Sequence, residues 1–317
     1  MSEAPWWRHV RGDPGAFLLD DSEPGVLRRV LVDLLNRPED SPAVERARLA
    51  SHERGGAAAI LARQHPLGYW DSPGAYAARW GGSAWHLIAL AQLGADGEDE
   101  RVGRAVEALL AHIHPSSGGF AAGRGRPPSA CFTAELAAAL ARLGFSRHPR
   151  VREAVAWLAA REEASGGWSC PELRHLVAGS CPVAAVAALR LVADHPPHER
   201  GQIAFLAGRG AAWLMARGLF VTGSRPKGWF EFGHPCLGRI DLLEALACLA
   251  LLSWPAGDWT GPAVATVIAS QDEGGTWRQR RRQPYGEAVD APSRWLTLKA
   301  LLVVAAYGDA AWKEVSA

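Results

Sequence analysis

The sequence predicts an all-α chain, an α/α toroid of about six helical hairpins with an inner and an outer ring of helices. A glycine-aromatic knot recurs five times: Gly68-Tyr69-Trp70, Gly118-Gly119-Phe120, Gly166-Gly167-Trp168, Gly228-Trp229 and Gly274-Gly275-Thr276-Trp277. The knot aromatics at 70, 120, 168, 229 and 277 are separated by 50, 48, 61 and 48 residues, a period at which self-similarity marks a repeat fold. Between the knots, two kinds of helical segment alternate, one apolar nearly all round and one amphipathic. An array of helical hairpins is the architecture that this alternation builds.

The elements follow in chain order. Residues 23–36 (EPGVLRRVLVDLLN) read as an inner-type helix and 42–62 as its outer partner. Inner helices then fall at 83–94, 131–144, 181–194, 236–252 and 293–306, each rich in alanine and leucine and apolar around most of its circumference, as a helix buried on nearly all sides requires. The outer helices carry one apolar stripe. Val102, Ala105, Val106 and Leu109 recur as Val151, Ala154, Val155 and Leu158, the i, i+3, i+4, i+7 pattern of a helix with one wet face. Neither end of the chain has a long polar capping repeat, so six pairs are expected to close a ring. The whole of 1–317 reads as one toroid domain, with 1–22 as an N-terminal extension.

Composition narrows the classes of function. At 317 residues, 48% hydrophobic and 21% charged, the chain can bury a sizeable core or enclose a cavity. A formal charge of +1 supplies no global field for nucleic acid or an anionic membrane. The N-terminal residues lack an apolar stretch of signal-peptide length, and no apolar run approaches the ~20 residues that span a bilayer. A cytoplasmic location is expected on that basis. Five cysteines without the spacing of a disulfide framework fit a reducing compartment, where their thiols serve other chemistry.

Two knots spell a longer motif. Gln64-His65-Pro66-Leu67-Gly68-Tyr69-Trp70 and Gln271-Asp272-Glu273-Gly274-Gly275-Thr276-Trp277 both read Q-x-x-x-G-x-W, which resembles the repeat of squalene–hopene cyclases and the β subunits of protein prenyltransferases. The resemblance extends from about residue 23 to 306. It implies an α/α toroid that receives an isoprenoid or similar apolar substrate, as the free lipid or its diphosphate, and either protonates it or attaches it to a zinc-bound thiolate. The D-x-D-D run that protonates the alkene in such cyclases is absent here, and Cys131 stands where its acid would sit. A thiol near pKa 8.5 is too weak an acid for that step. The resemblance therefore favours zinc chemistry over cyclisation by the usual route, with a non-catalytic toroid that binds a lipid-like ligand or a protein partner as the alternative.

Cysteine supplies the candidate metal ligands. Cys131, Cys181 and Cys236 are expected to open inner helices, where the helix N-terminus favours thiolate. Cys170 follows the third knot, and His175 lies between it and Cys181. Three thiolates and one imidazole make a complete tetrahedral set, so Cys131, Cys170, His175 and Cys181 are the expected zinc site. If all four bind, the site is closed and the zinc structural. A second set, His234, Cys236 and Asp290, resembles the prenyltransferase zinc ligands but departs from them at two positions. Asp241 and Asp290 are the candidate catalytic carboxylates, since burial would raise a carboxyl toward general-acid range. Glu135 and Glu244 are lesser candidates of the same kind. Arg278 and Arg280, in the only dense basic run, are placed as a clamp for a diphosphate leaving group, a role the resemblance implies and guanidinium geometry suits. Trp80, Trp85, Trp229 and Trp295 are candidates to line an apolar cavity, where π faces stabilise cations.

Overall fold

The structure is a computed structural model, described over residues 5–113, 118–123, 125–161, 163, 166–170 and 180–315. Among the described residues it is all-α apart from one two-residue ladder and an isolated bridge between Ala121 and Pro128, as the sequence predicts. The helices are α1 Gly15–Leu19, α2 Pro24–Arg29 with a π turn at Val30–Leu34, α3 Pro42–Ala50, α4 Gly55–Leu61, α5 Ser83–Gln92, α6 Glu100–His112, α7 Ala130–Leu140, α8 Pro149–Ala159, α9 Pro182–Asp194, α10 Pro197–Met215, α11 Leu242–Leu251, α12 Thr260–Ala269 and α13 Arg294–Val315. The ladder pairs β1 Trp277–Arg278 with β2 Pro292–Ser293. The chain divides into two compact units, one of residues 51–213 and 237–239, the other of 1–50, 214–236 and 240–317. None of the helices described is long and apolar enough to cross a membrane.

In the unit built on 51–213, the inner helices α5, α7 and α9 lie side by side, with α6 on α5 and α8 on α7. Every residue of α7 is buried, which its small side chains permit because alanine lets neighbouring backbones approach closely. The outer helices keep the single stripe expected of them. Val102, Ala105, Val106 and Leu109 of α6 are buried, and Asp99 caps that helix by accepting from the Arg101 amide.

In the other unit α13 packs against both α11 and α2, with α12 alongside, so the last helix of the chain rests on the first repeat. The last motif explains how. Gln64 of the first Q-x-x-x-G-x-W donates to the Arg101 carbonyl at the start of α6. Gln271 of the last accepts instead from the Arg11 amide, and a Cβ at Gly275 (φ +82°) would fall 2.0 Å from the Arg11 carbonyl oxygen. Gly68 has the same left-handed backbone and the same tight approach, to the Arg104 carbonyl oxygen at 2.3 Å. The N-terminal extension thus does for the fifth knot what an outer helix does for the first. Arg8 and His9 add contacts to Asp309 on α13.

The knots share one construction. The indole Nε1–H of Trp70, Trp168, Trp229 and Trp277 donates to the carbonyl ten residues earlier, at Ile60, Leu158, Leu219 and Val267. Thirteen residues later the chain is tied to the same knot. The Ser83 hydroxyl accepts from the Trp70 amide, the Thr133 hydroxyl from the Phe120 amide, and the Cys181 and Leu242 amides donate to the Trp168 and Trp229 carbonyls. At Trp70, Trp168 and Trp229, where both ties are present, the knot fastens the end of an outer helix or the turn just after it to the start of the next inner helix. Replacing Trp277 by phenylalanine removes the indole donor and part of a fully buried ring, while the Val267 carbonyl still accepts from Ser270, so the lost bond and the space left behind should lower the unfolding free energy by about 1–3 kcal/mol in urea titration. An unchanged midpoint would show that the bond is not what fixes the knot.

Three element boundaries differ from the sequence reading. The outer segment 42–62 is two helices, broken at 51–54 ahead of Gly55 (φ +87°). Residues 23–36 unwind through the π turn. The inner helix expected at 236–252 starts at Leu242, because the Asp241 side chain caps it and Gly238 (φ +60°) interrupts helical backbone just before. Cys236 consequently lies in the loop before α11 and is not its first residue, although its sulfur stands 4.0 Å from the Asp241 cap.

Candidate functional site

The packing of α7 on α9 and the knot at Trp168 together assemble the cysteine site. Cys131 is in the first turn of α7, Cys181 is the N-cap of α9, and Cys170 stands two residues past Trp168 in the loop that the Cys181 amide ties back to the Trp168 carbonyl, 2.8 Å away. All three sulfurs lie within 4.8 Å of one another, and those of Cys131 and Cys170 are 3.3 Å apart. All three are buried free thiols. Around a tetrahedral ion with Zn–S bonds of about 2.3 Å, neighbouring sulfurs are separated by about 3.8 Å, so this triangle is of the right size for one metal ion. His175 lies outside the described residues, within the segment 171–179 that joins Cys170 to Ser180.

The electrostatics of the triangle point the same way. The sequence suggests lowered thiol pKa values at the two helix N-termini, but crowding and burial overwhelm the helix contribution. Cys131 is pushed up to about 12, first by its hydrogen bond with the Cys170 thiol, with burial and the nearby Glu135 carboxylate adding to it. Cys181 is pushed up strongly by its bonds to Cys131 and Cys170 and by burial. Three thiolates in this space repel one another in a medium that solvates none of them. A divalent soft cation removes that cost, and a coordinated thiol gives up its proton outright. The donor set therefore fits zinc, whose ligands these residue types are.

A second buried polar cluster lies in the other unit, around Asp241. Its carboxylate caps α11, accepting at Oδ1 from the Glu244 amide at 2.9 Å, and at Oδ2 from the Gly233 amide and from Arg281, each at 3.1 Å. Burial pushes the Asp241 carboxyl up, while the Arg281 guanidinium and the Glu244 amide oppose it. Glu244 pairs with Lys299 of α13, and Lys299 also donates to His234 Nδ1 at 2.9 Å. His234 stacks on Trp295 with ring centroids 4.9 Å apart. The Cys236 thiol donates to the Gly233 carbonyl and is pushed up to about 12 by burial and by the Glu244 and Asp241 carboxylates. Two buried carboxylates facing two cations make an internally balanced network that joins the 233–241 loop, α11, the 279–283 segment and α13. Asp241, expected as a catalytic acid, is engaged on both oxygens here.

The remaining candidates are dispersed. Asp290 is at the surface, its carboxylate 67% exposed and paired with Arg280 at 2.8 Å, which separates it from His234 and Cys236 as a third ligand. Arg278 binds the Asp290 carbonyl and the Asp272 carboxylate, so both arginines of the expected diphosphate clamp are occupied by acidic or carbonyl oxygens of their own loop. Trp229 is buried in its knot and packs edge-on against Phe220, which makes it a lock on the repeat. Trp80 and Trp85 meet edge to face at 5.2 Å, and Trp85 continues to Phe132 at 5.6 Å, forming an aromatic run on the starts of α5 and α7. Glu135 lies buried on the same helix as Phe132 and accepts from the Gly238 amide at 3.0 Å. Sequence reasoning passed over Lys299 and the buried role of Arg281. The signal for the first was present, since a lone cation in the apolar run Leu296–Val304 must find a buried acid.

No family model matches the chain, and no curated protein is similar to it in sequence. Solved structures resemble it distantly. The type II terpene cyclase MstE from Scytonema, in its apo form, aligns with 79% of this chain and 96% of its own at 14% identity and a TM-score of 0.33. A variant of MstE in complex with geranylgeranyl dihydroxybenzoate aligns with 81% and 95% at 16% identity and a TM-score of 0.33. A polysaccharide lyase aligns with 95% and 92% at 12% identity and a TM-score of 0.47. Likeness at this distance carries no residue-by-residue correspondence.

Proposed function

We propose that the chain is a zinc-stapled helical-repeat protein of the prenyltransferase and terpene-cyclase kind that takes up an isoprenoid or similar apolar molecule. The observation that carries the zinc reading is the triangle of Cys131, Cys170 and Cys181, three buried thiols within 4.8 Å of one another. His175 is the fourth ligand in this reading. A site closed by four protein ligands is structural, and the ion then fastens the loop of the third knot to the N-termini of α7 and α9. The apolar ligand is supported by the Q-x-x-x-G-x-W repeats and by the Trp80, Trp85 and Phe132 run.

Between an enzyme and a binding protein, the occupied carboxylates favour binding. Asp241 is held by Arg281 and by its cap, and Asp290 by Arg280. A catalytic reading draws on the triangle itself, because three protein ligands with water in fourth place would leave zinc an open position for activating a thiol or water. His175→Ala separates the two. The structural reading expects zinc affinity to fall by at least tenfold, measured by competition with a chromogenic chelator. Unchanged affinity would instead point to an open, catalytic site. Native mass spectrometry of freshly purified protein reads any bound lipid in the same experiment, and protein that takes up no isoprenoid from a panel of prenyl alcohols and diphosphates would remove the ligand half of the proposal.

A further inference from the structure

The thiol triangle also has the geometry of an oxidisable pair. The Cys131 and Cys170 sulfurs stand 3.3 Å apart and must close by roughly 1.3 Å to reach the disulfide length of about 2.05 Å. Cys170 lies in irregular backbone two residues past Trp168, outside the regular hydrogen bonding of α7 that holds Cys131. Cys131 is the least enclosed of the three at 9% exposed, against 4% for Cys170 and 0% for Cys181. Cys181 has its backbone fixed at the N-cap position of α9 and by the bond from its amide to the Trp168 carbonyl.

We propose that Cys131 and Cys170 are a disulfide-forming modification site, and that their oxidation by a peroxide opens the metal site. The Cys131 thiol, protonated at neutral pH, attacks one oxygen of hydrogen peroxide as its proton passes to the leaving oxygen, which makes the step slow. The O–O bond breaks, an S–O bond forms, and hydroxide leaves with the thiol proton as water. The Cys170 sulfur then attacks the Cys131 sulfur, forming S–S, breaking S–O and releasing a second water. The two sulfurs lose two electrons, which the peroxide gains. Oxidation removes two of the four ligands of that reading and leaves Cys181 and His175, too few to retain zinc against a chelator, so oxidation and metal release are coupled. The release rests on the zinc reading above, whereas disulfide formation does not.

The test treats full-length protein, with and without prior chelation, with hydrogen peroxide. Chelated protein should lose about 2 Da and two of its five thiols, and peptide mapping without reductant should join the Cys131 and Cys170 peptides. Zinc-loaded protein should release its metal in step with that link. Cys181→Ser should still form the link, and Cys170→Ser should stop at a sulfenic acid, a gain of about 16 Da. A link that includes Cys181, or five thiols surviving in chelated protein, would overturn the proposal. Protein that forms the link on oxidation but takes up no zinc when fully reduced would leave the disulfide standing and overturn the metal reading alone.

Discussion

Replacing Arg281 by methionine should lower the unfolding free energy by about 3–5 kcal/mol, the cost of leaving a buried carboxylate without its cation. Both partners are almost wholly enclosed, with side-chain exposures of 4% for Arg281 and 1% for Asp241, so solvent cannot replace the lost charge. The effect should depend on pH in a defined direction. Burial raises the Asp241 carboxyl, and Arg281 is the largest influence holding it down. Without Arg281 the folded-state pKa climbs further above the unfolded value of about 3.9. A group raised in the folded state contributes its full stability below the unfolded pKa and loses it as pH rises through the folded one. The deficit of Arg281→Met against the parent should therefore be smallest near pH 4 and grow toward pH 7. Adding Asp241→Asn, which keeps a capping oxygen, should recover part of the loss. Urea titrations at three pH values would read this directly. A deficit below about 1 kcal/mol at every pH would mean that the network is not what holds the 233–241 loop, α11 and the 279–283 segment together.

The second large effect concerns the metal. A ligand that binds only the folded chain stabilises it by about 1.4 kcal/mol for each tenfold excess over its Kd, or about 4 kcal/mol at a thousandfold. In zinc-buffered solutions at pH 7 the apparent Tm should therefore climb with free zinc. Cys170→Ser should flatten the dependence, while Cys248→Ser, in the middle of α11, should leave it intact. Acid should weaken the response, because thiols held above their ordinary range, Cys131 at about 12, must give up protons to bind. A Tm indifferent to zinc across four decades would remove the staple from the account.

Much of the architecture was legible because the repeat punctuates itself. Glycine with left-handed backbone and an indole that reaches ten residues back recur at fixed spacing, and the residue types at Gly68, Trp70, Gly275 and Trp277 are the ones that job requires. The helix boundaries were less legible. Apolar residues stand on both sides of Asp241, Leu237 and Ile240 before it and Leu242 and Leu243 after it, and only the side-chain cap and Gly238 reveal where α11 begins. For the candidate site, Cys131, Cys170 and Cys181 could be read as a set because each sits beside a knot or a helix start. Cys236 carried the same outward signal but is spent on a carbonyl hydrogen bond within an ion-pair network. The catalytic expectation for Asp241 failed to anticipate Arg281, forty residues on, because the 279–283 segment returns to the Asp241 loop only in three dimensions. Asp290 read as a helix-start acid yet lies at the surface against Arg280, since the chain turns outward there with φ +63°.

The central claim is that Cys131, Cys170 and Cys181 hold one metal ion. Native mass spectrometry of untagged protein, purified under reducing conditions without added metal, tests it most directly. One zinc per chain is expected in the parent and none in Cys131→Ser. Less than about a tenth of an equivalent in the parent, or full occupancy in the variant, would contradict it.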